Sequence, residues 1–206
     1  MNDAFINSHD LYLKKRSERI RRVGEALNKI LFNRSDKFNF SSFHLEIGCG
    51  HGHWLTSFAQ SCPNQFFIGI DLITRRLKKA EQKKRLHNLE NVLFIKADAL
   101  EFLEALPKQL IITSTYLMFP DPWPKKRHHK KRLIQTSFLN QLSEVSQNSS
   151  SLFLRTDHHQ YFEWSLDHIK RNQHWRVTDE TWPHEADSFF QKLFCSCQTL
   201  SASVLK

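Results

Sequence analysis

The stretch that decides the fold is LEIGCGHGHW, residues 45–54, in which an apolar run leads into a glycine-rich turn. Glycines stand at positions 48, 50 and 52, directly after the pattern of a short buried strand. Glycine lets a turn adopt dihedral angles that other residues resist, and it lets the backbone approach a ligand closely. Residues 53–61 then have the spacing of a helix. The sequence therefore predicts a strand, a tight turn and a helix, with or without a ligand at the turn.

The glycine spacing excludes two common phosphate-binding motifs. His53 breaks the G-x-G-x-x-G fingerprint of dinucleotide-binding folds. The G-x-x-x-x-G-K-[ST] motif of nucleoside triphosphatases is not present either. A nicotinamide-dependent oxidoreductase is therefore a remote alternative.

Strand and helix patterns alternate along most of the chain. Strands are predicted at 44–47, 65–71, 92–97, 110–119 and 152–156, with 175–178 a further candidate. Helices are predicted at 8–32, 53–61, 74–87, 99–106, 133–145 and 161–172. Thr74 is a candidate N-cap, and residues 147–151 are predicted to form a turn. This alternation predicts an α/β fold, with a mostly parallel central sheet and helices on both faces.

Acidic residues and glycines follow the predicted strands at the point where each ends. In parallel sheets, ligands bind beyond the carboxyl ends of the strands, which share one edge. This rule predicts one ligand-binding rim formed by Glu46, Gly48, Gly50, Gly52, Asp71, Asp98, Asp121 and Asp157. Five carboxylates on one edge indicate binding rather than packing.

The composition indicates one globular domain with an anionic partner. The chain has 206 residues, a formal net charge of +9, and a sequence pI of about 9.5. Nucleic acid is the first candidate partner, and an anionic membrane surface is the weaker one. We predict a single domain over 1–206, with a basic helical extension at 1–40 and a core at 41–206.

Cysteine usage and hydropathy predict a protein of the cytoplasm. Four cysteines, at 49, 62, 195 and 197, fit neither a zinc framework nor a disulfide-rich domain. The N-terminus lacks the pattern of a signal peptide, and no apolar run approaches the length of a membrane span. We expect no metal site, no membrane contact and, from size alone, a monomer.

A second unusual stretch is FPDPWPKKRHHKKRL, residues 119–133. Pro122 and Pro124 restrict the backbone around Trp123, so that Asp121 is held at the mouth of the fourth strand. A carboxylate there can accept hydrogen bonds from N1 and N2 of a guanine. The cations that follow can bind phosphates, or they form a solvated face. Trp123 is assigned to packing more readily than to base stacking.

The glycine loop, E-x-G-x-G-x-G, resembles the first motif of Rossmann-like methyltransferases that use S-adenosylmethionine. The resemblance implies that Asp71 accepts the ribose hydroxyls of the cofactor and that Asp98 lies at its adenine amine. Helix capping is the alternative role for both aspartates. The cofactor-binding residues implied are Glu46, Gly48, Gly50, Gly52, Asp71, Asp98, Ala99 and Asp121.

The ordered motifs of residues 44–157 together resemble one family. LEIGCGHG, FIGID, KADA, YLMFPDPWPKKRHHKKRL and RTD follow the order found in bacterial tRNA (guanine-N(7)-)-methyltransferases. This resemblance implies methyl transfer to N7 of a guanosine in the variable loop of tRNA. It implies that Asp121 is the catalytic residue, which orients the base, and that Lys125 and Asp157 bind substrate. A general phosphate contact is the alternative role for Lys125.

The C-terminal part departs from the family pattern. The family has a Thr-x-[aromatic]-Glu segment, and the best match in this chain is Ser188-Phe189-Phe190-Gln191. The resemblance implies that Ser188 and Gln191 bind substrate, although Gln191 lacks the negative charge of the family's Glu. The tail after it lacks a recognisable final strand. Two alternatives follow, a methyltransferase of another RNA specificity and a non-catalytic RNA-binding protein on a decayed methyltransferase fold.

Overall fold

The computed structural model describes residues 8–32, 41–186 and 197–206. Its strands are β1 Ser42–Ile47, β2 Phe67–Asp71, β3 Val92–Lys96, β4 Ile111–Met118, β5 Ser146–Thr156, β6 Trp175–Thr178 and β7 Gln198–Val204. Its helices are α1 Ser8–Phe32, α2 His53–Ser61, α3 Thr74–Leu86, α4 Ala99–Ala105, α5 Thr136–Val145 and α6 His159–Arg171. A 3₁₀ helix covers Lys126–Lys131, which we call the basic turn.

The strands form one seven-stranded sheet in the order β3-β2-β1-β4-β5-β7-β6. The first five strands of that order pair in parallel, whereas β7 pairs antiparallel with both β5 and β6. The order reverses between β1 and β4, where the crossovers leave in opposite directions. The predicted mostly parallel α/β sheet, including the sixth strand, is confirmed.

The expectation that the tail lacks a final strand is wrong. β7 is inserted between two strands, and Leu200, Ala202 and Val204 are buried. Ser201 and Ser203 between them are buried too, and Ser201 Oγ donates to the carbonyl of Thr178 at 2.7 Å. A strand with both faces covered needs no alternation of apolar and exposed polar residues, so the usual pattern is missing from the sequence.

Two local predictions are also wrong. Residue Ile73, not Thr74, is the N-cap of α3, and its N–H donates to Oδ1 of Asp71 at 2.7 Å. The predicted turn at 147–151 lies inside β5, where the pairing with β4 shifts register between Ile112 and Ser114. Ser149 there has φ 60°, so the polar run forms a bulge instead of ending the strand.

Apolar side chains cover both faces of the sheet. One cluster joins the sheet to α1, α4, α5 and α6 through residues such as Leu27, Phe102 and Phe138. The other joins it to α2 and α3 and is aromatic, with Trp54 and Tyr116 at its centre. The site residues at the strand ends are thus held by a sheet that is packed on both sides.

α1 is docked on α4 through buried Val23 and Leu27 and through ion pairs. Arg19 Nε donates to Oε2 of Glu101 at 2.8 Å, and Arg16 pairs with Glu104. The other α1 arginines also pair with carboxylates, Arg21 with Glu18 and Glu25, and Arg22 with Glu18. These arginines are less available to phosphates than the sequence alone indicates.

Within the described ranges, no helix is both long and apolar enough to cross a membrane.

Candidate active site

A cavity of about 390 Å³ opens at the carboxyl ends of the parallel strands. Four strand ends line it, and its wall comprises Ile47, Gly48, Ile70 to Ile73, Arg76, Ala97 to Ala99, Leu117 to Asp121, Trp123, Lys131 and Leu133. The structure therefore brings five predicted residues together, namely Gly48, Asp71, Asp98, Ala99 and Asp121.

The three loop glycines all need left-handed backbone, with φ of 79° at Gly48, 56° at Gly50 and 69° at Gly52. Their surroundings differ. A Cβ on Gly48 would meet nothing within 4 Å, so this glycine leaves the cavity wall open. A Cβ on Gly52 would lie 2.7 Å from Cβ of Ala80 and 2.8 Å from Cζ of Phe94. Gly52 therefore serves helix packing, and it does not line the cavity.

Asp71 connects the glycine loop to the second strand. Its side chain is buried, Oδ2 accepts the Gly50 N–H at 3.0 Å, and Oδ1 accepts the Ile73 N–H at 2.7 Å. Nη1 of Arg76 lies 3.6 Å from Oδ2. A carboxylate oxygen has two lone pairs, so each can take a further donor such as a ribose hydroxyl. Ile73 and not Asp71 is the N-cap of α3, so the capping alternative is wrong for Asp71, and its ligand-binding role stays a prediction.

Asp98 caps α4, as the capping alternative for this residue proposed. Its Oδ1 accepts the N–H groups of Leu100 at 2.9 Å and Glu101 at 3.3 Å. Both bonds use Oδ1, which leaves Oδ2 for a donor in the cavity. Ala99 follows it on the cavity wall.

Glu46 lies within the sheet behind the cavity wall and not on the wall itself. Its side chain is 3% exposed, and Oε2 is buried without a hydrogen-bond partner. Burial, followed by the nearby charge of Asp71, raises the pKa of Glu46 to about 8. A buried carboxyl with an unpaired oxygen, close to a second carboxylate, suits a ligand that brings positive charge. S-adenosylmethionine, with its sulfonium and ammonium groups and no phosphate, fits this acidic wall.

Asp121 is exposed at the cavity edge on a loop with unusual backbone. Phe119 has φ 49° and Trp123 has φ 45°, values that non-glycine residues rarely adopt. The loop begins where the Phe119 N–H donates to the carbonyl of Arg155 at 2.8 Å. Residues on both sides of Asp121 are thus held in strained positions, which is typical of a functional site.

Arg132 holds this loop from behind. Its Nε donates to the carbonyl of Pro122 at 2.8 Å, and its guanidinium lies 5.0 Å from the ring of Trp164 and 5.5 Å from that of Tyr161. The side chain is 2% exposed, and burial lowers its pKa. Because Pro122 follows Asp121 directly, the Arg132 contact positions the aspartate.

The five other Lys and Arg side chains of the basic run are exposed. Among the described residues, no carboxylate lies within 4.0 Å of the cationic nitrogens of Lys125, Lys126, Arg127, Lys130 or Lys131. Lys131 Nζ lies 4.5 Å from the ring centre of Trp123, which forms part of the cavity wall. The unneutralised charge fits binding of an external polyanion.

Other predicted site residues lie elsewhere. Lys125 and Asp157 are exposed and do not line the cavity. Ser188 and Gln191 lie outside the described residues.

Sequence reasoning missed the roles of three arginines. Arg76 lines the cavity, and Arg132 positions the loop, although Arg132 was treated as one member of a charge run. Arg155, just before Asp157, is buried, pairs with Glu185 and lies 4.2 Å from the ring of Trp182. Local sequence does not show which side chains these arginines contact, so only the packing reveals the three roles.

The fold and the acidic cavity define the class of protein, a Rossmann-like methyltransferase that uses S-adenosylmethionine. A rRNA methylase from Streptococcus thermophilus has a TM-score of 0.55 at 10% identity, with 91% of this chain and 94% of that chain covered. A putative methyltransferase from Streptococcus mutans, in complex with SAH, has a TM-score of 0.55 at 13% identity, with 91% and 98% covered. These likenesses show the fold.

Sequence comparison narrows the class to one family. A family model described as "Putative methyltransferase" matches residues 41–193. A tRNA (guanine-N(7)-)-methyltransferase of Mesomycoplasma hyopneumoniae strain J is 31% identical over 167 residues, covering 79% of this chain and 82% of that protein. The enzyme of that name from Mycoplasma capricolum is 31% identical over 185 residues, covering 87% and 79%. The chain belongs to the tRNA (guanine-N(7)-)-methyltransferase family.

No cluster of three or more potential metal ligands occurs among the side chains that the structure describes.

Proposed function

We propose that this chain transfers the methyl group of S-adenosylmethionine to N7 of a guanosine in the variable loop of tRNA. The names of the curated relatives support the reaction and the RNA. The observation that carries the proposal is Asp121, exposed on a strained loop between an acidic cavity and an unpaired basic turn. In this proposal Asp121 is the hydrogen-bond acceptor for guanine, and it lies between the cofactor cavity and the surface that binds phosphates.

The acidic half of the cavity holds the cofactor in this proposal. Asp71 takes the ribose hydroxyls, Asp98 and Ala99 take the adenine, and the glycine loop with Glu46 lies at the charged end. When bound, S-adenosylmethionine supplies an electrophilic methyl group. The chain binds the cofactor with carboxylates and backbone, which fits a ligand that carries positive charge and no phosphate.

Asp121 orients the base, which makes the reaction one of proximity and alignment. Its carboxylate accepts hydrogen bonds from N1 and N2 of the guanine. N7 of a neutral guanine has a free lone pair, so no general base is needed to expose it. Lys125 and Asp157 assist as substrate contacts, together with Ser188 and Gln191.

The basic turn binds the phosphates around the target nucleotide. N7 faces the major groove, which side chains cannot enter in regular A-form RNA. A guanosine in an irregular part of the fold, such as the variable loop, is therefore a suitable target. We further propose that the chain acts as a cytoplasmic monomer, without a metal, and that residues 1–40 extend a core of residues 41–206.

Methyl transfer from labelled S-adenosylmethionine to unmodified tRNA tests the proposal. Borohydride and aniline treatment cuts RNA at N7-methylguanosine and so maps the product. We expect one cut in the variable loop with the wild type and none with Asp121→Ala. Transfer at another position or to another atom would contradict the assigned specificity. Cofactor binding without any transfer, or no cofactor binding, would contradict the assigned reaction.

The structure weakens one argument for the non-catalytic alternative. That alternative relied on an atypical tail, but β7 completes the sheet with buried residues. The cavity also keeps its acidic wall, which a decayed site has no need to retain.

A further inference from the structure

One flank of α3 carries cations that face the glycine loop. Arg76, Lys79 and Lys83 recur at intervals of three and four residues, so they lie along one side of the helix. Nζ of Lys83 donates to the carbonyl of His51 at 3.1 Å, so this side of the helix faces the glycine loop. Buried Leu77 and Ala80 form the inner face of the helix. Lys78 and Arg85 lie on the opposite flank.

Two histidines extend this flank onto the loop. The rings of His51 and His53 are 6.2 Å apart, and α2 begins at His53. The N-cap of α2 is Gly52, which offers no side-chain acceptor, and the first turn contains no acidic residue. The free N–H groups of the first turn therefore add partial positive charge beside the cations. We call His51, His53, Arg76, Lys79 and Lys83 the loop–helix patch.

The charges of this patch are not balanced internally. Among the described residues, the one ion pair that involves the patch joins Arg76 to Asp71, at 3.6 Å. Burial and then the neighbouring cations lower the pKa values of both histidines. The pKa of Lys83 is also lowered, by burial and then by Lys79. The groups repel one another, so a bound anion would relieve this repulsion.

The location of the patch indicates the anion. Arg76 belongs both to the patch and to the wall of the cofactor cavity, and Lys131 of the basic turn lies on the same wall. Cations therefore border the cavity on the glycine-loop side as well as on the Asp121 side. A polyanion long enough to contact both borders would cross the cavity mouth, where the methyl group is transferred.

We propose that the loop–helix patch binds backbone phosphates of the substrate RNA, as a second anchor across the cavity from the basic turn. This inference rests on the proposed function, because it takes the polyanion to be the substrate. Two anchors would fix the direction of the strand over the cavity, which a single basic turn would leave free. Phosphate contacts position an RNA without reading its bases.

A charge-matched pair of double variants tests the patch. Lys79→Ala with Lys83→Ala removes two charges from the patch, and Lys78→Ala with Arg85→Ala removes two from the other flank. Affinity for an unmodified tRNA transcript is measured without cofactor, between about 50 and 200 mM salt. We expect the patch variant to bind roughly tenfold more weakly at low salt, with the salt slope reduced by about 1 to 2. The control variant should stay within about twofold of the wild type.

Two further measurements make the result specific. Calorimetry with S-adenosylmethionine should give wild-type affinity for both variants, and thermal unfolding should show that both fold. The single variant Lys79→Ala, which leaves the Lys83 hydrogen bond intact, should lose about threefold in RNA affinity. If the double variant is unstable, the RNA affinity of Lys79→Ala alone still tests the proposal.

Several outcomes would overturn the proposal. Equal losses in the two double variants would show diffuse attraction without a patch. A loss of cofactor affinity in the patch variant alone would assign these cations to the cofactor. Failure of the proposed function can be told apart from failure of this proposal. A wild type that binds tRNA without methylating it would contradict the proposed function, while its tRNA affinity would still test the patch.

Discussion

The two halves of the cavity are built in opposite ways. On the cofactor half, Asp71 and Asp98 are engaged by backbone N–H groups, and Glu46 is fully enclosed. On the substrate half, Asp121 and the basic turn are exposed, and the loop has two non-glycine residues at positive φ. In the proposed function, the cofactor half is thus a preformed site for a small ligand. The substrate half keeps unpaired charge for a large partner, and Arg132 supports it from behind.

The largest effect of a single substitution is expected at Gly52, beside the cofactor half. Gly52→Ala would place a methyl group 2.7 Å from Ala80 at a φ of 69°. Overpacking and left-handed strain together should reduce the free energy of unfolding by about 3 kcal/mol, measured by urea denaturation.

Gly48→Ala is the matched control, since its Cβ meets nothing within 4 Å and its φ is similar at 79°. It should lose about 1 kcal/mol of stability from backbone strain alone. Equal losses at the two glycines would show that close packing around Gly52 is not what the loop requires.

On the substrate half, Asp121→Asn should reduce the rate of methyl transfer about 100-fold, because the base loses its orienting carboxylate. Single-turnover kinetics with saturating tRNA measure this rate. The affinity for S-adenosylmethionine, from calorimetry, should change less than about threefold. A large loss of cofactor affinity would show that Asp121 serves cofactor binding, and it would contradict the division of the cavity into two halves.

Arg132 should act on the rate rather than on RNA affinity, although it belongs to the basic run. Arg132→Met removes the bond to the Pro122 carbonyl, and we expect kcat to fall about 20-fold with KM for tRNA nearly unchanged. Arg132→Lys keeps the charge and should restore part of kcat.

Arg127→Met is the control, because Arg127 is an exposed member of the same run. It should raise KM and leave kcat nearly unchanged. The same effect on KM from both Met variants would mean that Arg132 is one more phosphate contact.

A final effect is a pH dependence that originates at Glu46. Because the folded protein raises this pKa to about 8, Glu46 stays protonated over a range where the unfolded chain loses the proton. The folded state then binds more protons, so stability should fall as pH rises from about 4.5 to about 8 and level off above.

Cofactor affinity should respond in the opposite direction. A cationic ligand favours ionised Glu46, so affinity for S-adenosylmethionine should rise about fivefold from about pH 7 to about pH 8. Calorimetry in buffers of different ionisation enthalpy would detect the released proton. A similar pH dependence in Glu46→Gln would assign the titration to another group.

Local residue types made the cofactor half largely predictable. Glycines at 48, 50 and 52 and aspartates at 71 and 98 follow strands whose apolar runs are short and unambiguous. The rule that ligands bind at strand carboxyl ends then brings these residues together without knowledge of the packing. Glu46 and Gly52 were exceptions, because the sheet buries the Glu46 side chain near the end of β1 and because Gly52 packs against Ala80 and Phe94.

On the substrate half, the sequence predicted the motif but not which of its side chains are buried. The sequence shows eight basic or potentially basic residues from 125 to 132, which look equivalent. The structure buries Arg132, places Lys131 over the ring of Trp123, half-buries the two histidines and leaves the other lysines and Arg127 exposed. The sequence likewise does not show which carboxylates pair with the arginines of α1. In the structure, α4 supplies the carboxylates for two of them.

By itself, the sequence determined the alternation of strands and helices, the glycine turn, the placement of three aspartates on one rim and the family. These depend on residues close to one another in the chain, so local pattern carries them. Only the tertiary structure decided the place of β7, the bulge in β5, the burial of Glu46 and Arg132, and the flank of α3 that faces the glycine loop. Each of these depends on contacts between distant segments, because burial and pairing are set by what packs against a residue and not by its neighbours in sequence.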